Sequence, residues 1–142
     1  MIWELSIECI SGLYLEEECV RMIEIDSKSS LFDLHNFIQD AADFGHDHLF
    51  EFFAGRSPRN RKVVFGGYND DWEERLDIYC DTCLEHIYPL PKSCKLYYRF
   101  DFGDNWYFEI RKGRKKPREA EEGIHYPRIV KLIDPAPQQY GS

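Results

Sequence analysis

Alternating apolar and polar positions predict two paired strands at the start of the chain. In residues 3–9 (WELSIEC) every second side chain is apolar, which is the period-two pattern of a strand with one buried face. Ser11 and Gly12 end this strand. Residues 19–25 (CVRMIEI) predict a second strand, antiparallel to the first.

Apolar residues at helical spacing follow the second predicted strand. Ser30 and Asp33 form a capping-box pattern, in which each residue can bond the backbone N–H of the other. The apolar positions then recur with helical periodicity until Gly45, a residue that favours the end of a helix. They are Leu31, Leu34, Ile38, Ala41 and Ala42. A helix is predicted from residue 31 to about residue 42.

The middle of the chain predicts short elements and loops. Residues 48–53 (HLFEFF) indicate a third strand, residues 55–62 a basic loop, residues 63–65 a short strand and residues 68–74 an acidic loop. Thr82 and Glu85 form a second capping-box pattern, which predicts a short helix over residues 83–88. Pro89 and Pro91 end it, because proline cannot continue a helix.

The strongest strand pattern predicts an aromatic hairpin towards the C-terminus. Apolar side chains alternate through residues 96–102 and 106–110, with turn residues between them. Its polar face offers Arg99, Asp101, Tyr107 and Glu109. Residues 111–123 predict a mixed-charge loop, residues 129–133 a last strand and residues 134–142 a proline-rich end. The fold class is therefore α+β, a single compact domain over residues 1–142 with a mainly antiparallel sheet.

Composition narrows the class of protein. The 142 residues carry 18 Lys and Arg against 26 Asp and Glu, a net charge of −8. This balance argues against a general nucleic-acid coat protein. The first 12 residues lack the pattern of a signal peptide, no apolar run is long enough to span a membrane, and the cysteine number is odd. We expect a cytoplasmic protein with reduced thiols and no membrane partner.

The basic residues are concentrated in two segments, and ten of the 18 lie in residues 55–62 and 111–123. The candidate phosphate contacts are Arg56, Arg59, Arg61, Lys62, Arg111, Lys112, Arg114, Lys115, Lys116 and Arg118. The net negative charge favours solvated loops instead. A DNA-binding regulator that uses both segments remains an alternative, and it requires that they lie on one face.

Two further sets of residues could carry chemistry. His46 and His48, with Asp101, Asp104 and Glu109, could form a divalent-metal or acid–base site, as in a metal-dependent hydrolase or nuclease.

The second set is a CxxC motif with two more potential zinc ligands. It comprises Cys80, Cys83, His86 and Cys94. Because the spacing lacks a second close pair, we interpret these residues as ordinary structural ones and expect no metal. A redox pair, with Cys83 at the start of a helix, is a further possibility.

The hairpin also carries a family resemblance. Residues 98–106 (YRFDFGDNW), with Phe108 and Ile110, resemble the Y-x-F/Y-D-F-G-D-x-W-x-F/H-x-I signature of the plasmid pRiA4b ORF-3-like proteins. Residues 19–25, 30–45 and 47–52 are similar to further motifs of that family in the same order. The resemblance implies an α+β unit that opens like a ubiquitin-type roll, and an association with plasmids or mobile elements. It supplies no established catalytic residues.

The leading functional prediction is a non-catalytic binding or accessory protein of plasmid or mobile-element biology. Its partner would be another protein or a small molecule, with no cofactor. The prediction depends on an aromatic-rich chain in which no complete catalytic constellation is visible.

Overall fold

One antiparallel sheet organises the chain. The computed structural model describes residues 1–11, 19–41, 49–66, 71–100 and 106–133. Within these ranges the elements are β1 (Ile2–Ser11), β2 (Cys19–Asp26), α1 (Leu31–Ala41), β3 (Phe50–Ser57), β4 (Asn60–Phe65), α2 (Trp72–Asp81), α3 (Leu84–Ile87), β5 (Lys95–Phe100), β6 (Trp106–Lys112) and β7 (Arg128–Ile133). The strand order is β4-β3-β5-β6-β1-β2-β7, and every neighbouring pair is antiparallel. The predicted α+β class is confirmed.

The opening strands and helix form as the residue pattern predicts. β1 pairs with β2 in continuous register from Ile2 opposite Asp26 to Cys9 opposite Cys19. The capping box before α1 is also confirmed, since Ser30 Oγ accepts from Asp33 N at 3.0 Å and Asp33 Oδ2 accepts from Ser30 N at 3.0 Å. The likeness of this opening unit to a ubiquitin-type roll stays a prediction.

The predicted aromatic hairpin lies in the middle of the sheet. β5 and β6 pair from Leu96 opposite Ile110 to Phe100 opposite Trp106. The turn that joins them lies outside the described residues. Because β3 and β1 flank this hairpin, its backbone bonds are paired on both sides and its apolar side chains are buried.

Three predictions about loops are wrong. Residues 55–62 are mostly strand, because β3 continues to Ser57 and β4 begins at Asn60. The loop predicted from residue 111 in fact begins at residue 113, since β6 continues to Lys112. The acidic stretch 68–74 already contains the start of α2, where the Asp71 carboxylate accepts from the backbone N–H groups of Glu73 and Glu74.

The prediction of a second capping box, formed by Thr82 and Glu85, is also wrong. α3 begins after Cys83 without a side-chain cap, and the Thr82 hydroxyl instead donates to Ile78 O at 2.7 Å. The backbone here is extended because it pairs with the start of α1. Leu31 N donates to Thr82 O, and Leu84 N donates to Ser29 O.

The two faces of the sheet are buried in different ways. On the inner face, alternate strand residues join the helices in one apolar core, in which α1 contributes Leu31, Leu34 and Ile38. A polar network lies within this core, where the Tyr98 hydroxyl is 2.5 Å from His35 Nδ1 and accepts from Gln39 Nε2 at 2.9 Å. The opposite face, which we call the outer face, is defined by Glu51, Phe53, Tyr97, Arg99 and Glu109. These five lie outside the core cluster.

Candidate functional site

A pocket of about 560 Å³ opens beside Trp3 on the inner side of the sheet. Its walls are Trp3, Glu85, Lys112 and residues 88–94, the segment between α3 and β5. Pro89 and Pro91 keep this segment out of regular structure, and Tyr88 and Leu90 pack against the core. The volume lies within the range of about 300–1,000 Å³ that small-molecule sites occupy. We call it the Trp3 pocket.

An ammonium group lies over the aromatic wall of the Trp3 pocket. Lys112 is opposite Leu5 in the β1–β6 register, so its side chain shares a face with Trp3. Its Nζ is 4.1 Å from the ring centroid of Trp3 and 5.9 Å from that of Tyr88, and the two rings meet edge to face at 5.5 Å. No carboxylate of the described residues pairs with Lys112. Cation–π attraction favours this position of the charge at the pocket wall.

Tyr88 Oη is buried and has no hydrogen-bond partner among the described residues. Burial raises the pKa of Tyr88 to about 12, so the hydroxyl keeps its proton at neutral pH. The pocket therefore combines aromatic and proline rings with the side chains of Lys92, Lys112 and Glu85.

The outer face contains a different arrangement, centred on Glu51. Oε1 of Glu51 is 2.6 Å from Arg61 Nη2 and 3.4 Å from Arg99 Nη1, and Oε2 is 3.8 Å from Arg75 Nη2. The strand register accounts for part of this, since Glu51 lies opposite Arg99 on β5. Beside it Phe53 stacks on Tyr97 at 5.3 Å. We call Glu51 and its three arginines the Glu51 cluster.

Of the predicted histidine and carboxylate site, only Glu109 lies among the described residues. His46, His48, Asp101 and Asp104 lie outside them. Glu109 is buried on the outer face, with Arg111 Nε at 2.9 Å and Lys95 Nζ at 3.1 Å from Oε1. Burial alone would raise the pKa of Glu109, but these two cations bring it below its ordinary value. The carboxylate is therefore already occupied by two counter-ions.

Carboxylates of the sheet hold several of the predicted phosphate contacts. Arg61 and Arg111 bind Glu51 and Glu109 as above, Lys115 Nζ is 3.3 Å from Glu4 Oε2, and Arg118 bonds Glu24. Lys112 lies in the Trp3 pocket. The remaining five are exposed and pair with no described carboxylate, namely Arg56, Arg59, Lys62, Arg114 and Lys116. Four residues of the basic segments therefore pair with carboxylates of the sheet. Contact of these segments with nucleic acid stays a prediction.

The CxxC set does not converge on a metal. Cys80 lies in α2, Cys83 precedes α3, His86 lies in α3 and Cys94 precedes β5. Within the described ranges, no three His, Cys, Asp or Glu side chains are placed to hold a metal ion. Partial burial, with Asp77 and Asp81 nearby, raises the pKa of Cys80. This is opposite to the lowered pKa of a redox-active thiol.

The sequence patterns missed the residues that build both arrangements. Trp3 has the spacing of a core residue, and Tyr88 precedes prolines that only indicated the end of a helix. Glu51 and Arg99 were visible as polar positions on predicted strands, but their contact depends on the β3–β5 register. The Trp3 pocket could have been suspected only from an aromatic, proline-rich segment next to a predicted helix.

Comparisons with known proteins place the chain among uncharacterised relatives. The family model of the plasmid pRiA4b ORF-3-like proteins matches residues 10–139. The uncharacterized protein y4hQ of Sinorhizobium fredii is 30% identical over 112 residues, which are 78% of this chain and 54% of y4hQ. The chain thus spans about half the length of that curated relative. The crystal structure of MM3350, a protein of unknown function from Methanosarcina mazei Go1, matches with a TM-score of 0.69 and 23% identity, over 95% of this chain and 70% of that one. This likeness supports the fold.

None of the described helices is long and apolar enough to cross a membrane.

Proposed function

This chain belongs to the plasmid pRiA4b ORF-3-like family, and from that premise we propose that it is a non-catalytic binding protein. Its ligand is a small carboxylate with an apolar or aromatic body, bound in the Trp3 pocket. The named relatives carry no stated activity, so the geometry of the chain itself supports the proposal. An association with plasmids or mobile elements, a cytoplasmic location and a single-domain extent stay predictions.

The observation that carries the proposal is the position of Lys112. Its ammonium lies at the pocket wall against two ring faces and pairs with no described carboxylate. A carboxylate in the pocket would give this charge a partner. The rest of such a ligand would cover Leu90 and the proline rings.

The charge of the pocket favours an anion over a cation. Lys92 also lines the pocket, and the Glu85 carboxylate accepts from the Ser27 hydroxyl at 3.0 Å. An organic cation would have to displace Lys112 from the rings it already covers. An anion needs no such displacement.

Three indole compounds of similar shape test this proposal. Indole-3-acetate, indole-3-acetamide and tryptamine carry a negative, a neutral and a positive side chain on the same ring. Titration calorimetry against the wild type and Lys112→Met would compare them. Met keeps the length and apolar stem of the side chain but removes the charge, and Lys116→Met is the matched control because Lys116 is exposed and unpaired among the described residues.

We expect the acetate to bind about tenfold more tightly than the amide, which corresponds to about 1.4 kcal/mol. Lys112→Met should remove this preference, and Lys116→Met should retain it. If all three compounds bind equally, or if tryptamine binds best, the proposed ligand class is wrong.

The two alternative functions predicted from the sequence have less structural support. A metal-dependent hydrolase or nuclease rests on four residues outside the described ranges and on Glu109, whose carboxylate has two counter-ions. A DNA-binding regulator would rely on basic segments whose members at Arg61, Arg111, Lys115 and Arg118 are ion-paired. Both stay predictions.

A further inference from the structure

The Glu51 cluster brings three arginines to one carboxylate, and Arg75 Nη2 also donates to Tyr79 Oη at 3.5 Å. Its arginines come from three elements, with Arg61 on β4, Arg75 on α2 and Arg99 on β5. Each guanidinium has five N–H donors, whereas the carboxylate offers two oxygens. Arg75 Nε is buried and has no hydrogen-bond partner among the described residues.

Aromatic rings hold the three guanidinium groups in place. Arg61 lies 4.1 Å from the ring centroid of Phe53, and Arg75 lies 5.7 Å from that of Trp72. Arg99 lies 5.8 Å from the ring centroid of Tyr107. Cation–π contacts of this kind restrict the guanidinium groups before any ligand arrives, which lowers the entropy that binding would cost.

The carboxylate is buried, and the three arginines around it are half-buried. The Glu51 side chain is 8% exposed, against 28% for Arg61, 15% for Arg75 and 21% for Arg99. A second anion can therefore approach the exposed part of the arginine side chains without displacing Glu51. We propose that the Glu51 cluster is a binding site for a dianionic phosphate group, separate from the Trp3 pocket and independent of its proposed ligand.

The chemistry of arginine selects phosphate among the anions. A phosphate group presents three terminal oxygens in a tetrahedral arrangement, and planar guanidinium forks bind pairs of such oxygens. Three forks that converge from different directions fit a tetrahedral group better than a planar carboxylate. Glu51 neutralises part of the charge and keeps the arginines together when the site holds no phosphate.

The arrangement fits one phosphate group better than a nucleic-acid backbone. Binding along a strand needs a line of available cations. On this face Lys95 and Arg111 are already paired with Glu109, and Arg118 and Arg128 with Glu24. The source is therefore inorganic phosphate or the terminal phosphate of a small molecule.

Titration calorimetry at neutral pH tests the proposal with four probes. Inorganic phosphate and adenosine 5′-monophosphate carry the dianion, adenosine lacks it, and a single-stranded oligonucleotide without terminal phosphates carries only diesters. The variants are Arg75→Gln and Arg61→Lys, and the latter keeps the charge next to Glu51 while it removes the fork. Arg56→Gln is the matched control on β3, since Arg56 is exposed and pairs with no described carboxylate.

We expect both dianions to bind and adenosine not to bind. Tighter binding of the nucleotide would identify a phosphomonoester as the ligand, and equal binding would identify free phosphate. Arg75→Gln should weaken binding about tenfold or more and Arg61→Lys about threefold, with Arg56→Gln within about twofold of the wild type. Thermal unfolding of each variant shows whether it is folded, and Arg61→Lys preserves the test if Arg75→Gln is not.

Three results would overturn the proposal. They are the absence of saturable phosphate binding to the wild type, an equal loss in Arg56→Gln and Arg61→Lys, and tighter binding of the oligonucleotide than of either dianion.

Discussion

The Trp3 pocket and the Glu51 cluster use positive charge in opposite ways. In the pocket, Lys112 lies on two aromatic rings and pairs with no described carboxylate. In the cluster, one buried carboxylate meets three guanidinium groups. Lys112 therefore lies on the inner face of the sheet, whereas Arg61, Arg111 and Arg118 pair with carboxylates of the outer face.

This difference predicts which substitutions should change stability and which should change ligand binding. Glu51 is buried and its three partners are half-buried, so its charge contributes to the fold as well as to any ligand. Lys112 is exposed and its removal leaves no buried charge unpaired. The cluster should therefore be sensitive to substitution in unfolding experiments, and the pocket chiefly in binding experiments.

The largest effect is expected at Glu51. Glu51→Gln keeps the shape of the side chain but leaves three partly buried guanidinium groups without their carboxylate, and should lower the free energy of unfolding by about 3 kcal/mol. Glu109→Gln is the control, because its partners Lys95 and Arg111 are 47% and 59% exposed. It should cost about 1 kcal/mol. Equal losses for the two variants in urea unfolding would contradict the distinction.

Removal of the hydroxyl should affect stability differently at Tyr98 and at Tyr88. Tyr98→Phe removes a hydroxyl that serves both His35 and Gln39 in the core, and should cost about 2 kcal/mol because those groups lose their partner. Tyr88→Phe removes a buried hydroxyl without a described partner and should change the free energy of unfolding by less than about 0.5 kcal/mol. Thermal or urea unfolding measures both. A large loss for Tyr88→Phe would show that its hydroxyl already has a structural role.

A further effect depends on pH and involves Glu24 on the outer face. The hydrogen bond from Arg118, assisted by Arg128, lowers the pKa of Glu24 below its ordinary value of 4.5. A lowered pKa in the folded state means that the ionised carboxylate stabilises the fold above the unfolded pKa, and that this contribution is lost as the pH falls through the folded value. We expect the stability of the wild type to decline below about pH 4.5, and that of Glu24→Gln to decline less. Urea unfolding at several pH values measures this, and identical acid-side slopes would contradict it.

The smallest change in stability is expected for Lys112→Met. The variant loses a cation–π contact of about 0.5–1 kcal/mol at an exposed site, and the Met side chain still covers the rings. Its midpoint of thermal unfolding should stay close to that of the wild type while its preference for the indole carboxylate disappears. A strongly destabilised variant would mean that Lys112 belongs to the fold and not to a binding site.

Local sequence patterns predicted the elements whose stabilising contacts lie close along the chain. Ser30 and Asp33 are three residues apart and cap each other, and the alternation of β5 and β6 persists in the paired strands. α2 was missed although Asp71 caps it and Trp72, Leu76 and Tyr79 follow at helical spacing. The acidic composition of its first turn was interpreted as a loop.

The candidate sites could not be predicted in the same way, because their residues meet only after the sheet has formed. Glu51 meets arginines that are 10, 24 and 48 residues away along the chain. Trp3 meets Lys112 because β1 and β6 pair. Contacts of this range depend on strand register, which a single sequence specifies only through the burial pattern of each strand.

The most direct test of the account is a pair of backbone amide NMR titrations of the wild type. The central claim is that the molecule has two anion sites of different chemistry on opposite sides of its sheet. Indole-3-acetate should shift the resonances of Trp3, Lys112 and the non-proline residues of 88–94, and inorganic phosphate those of Glu51, Arg61, Arg75 and Arg99. If both probes shift the same resonances, or only those of exposed basic residues such as Arg56 and Lys116, the claim is contradicted.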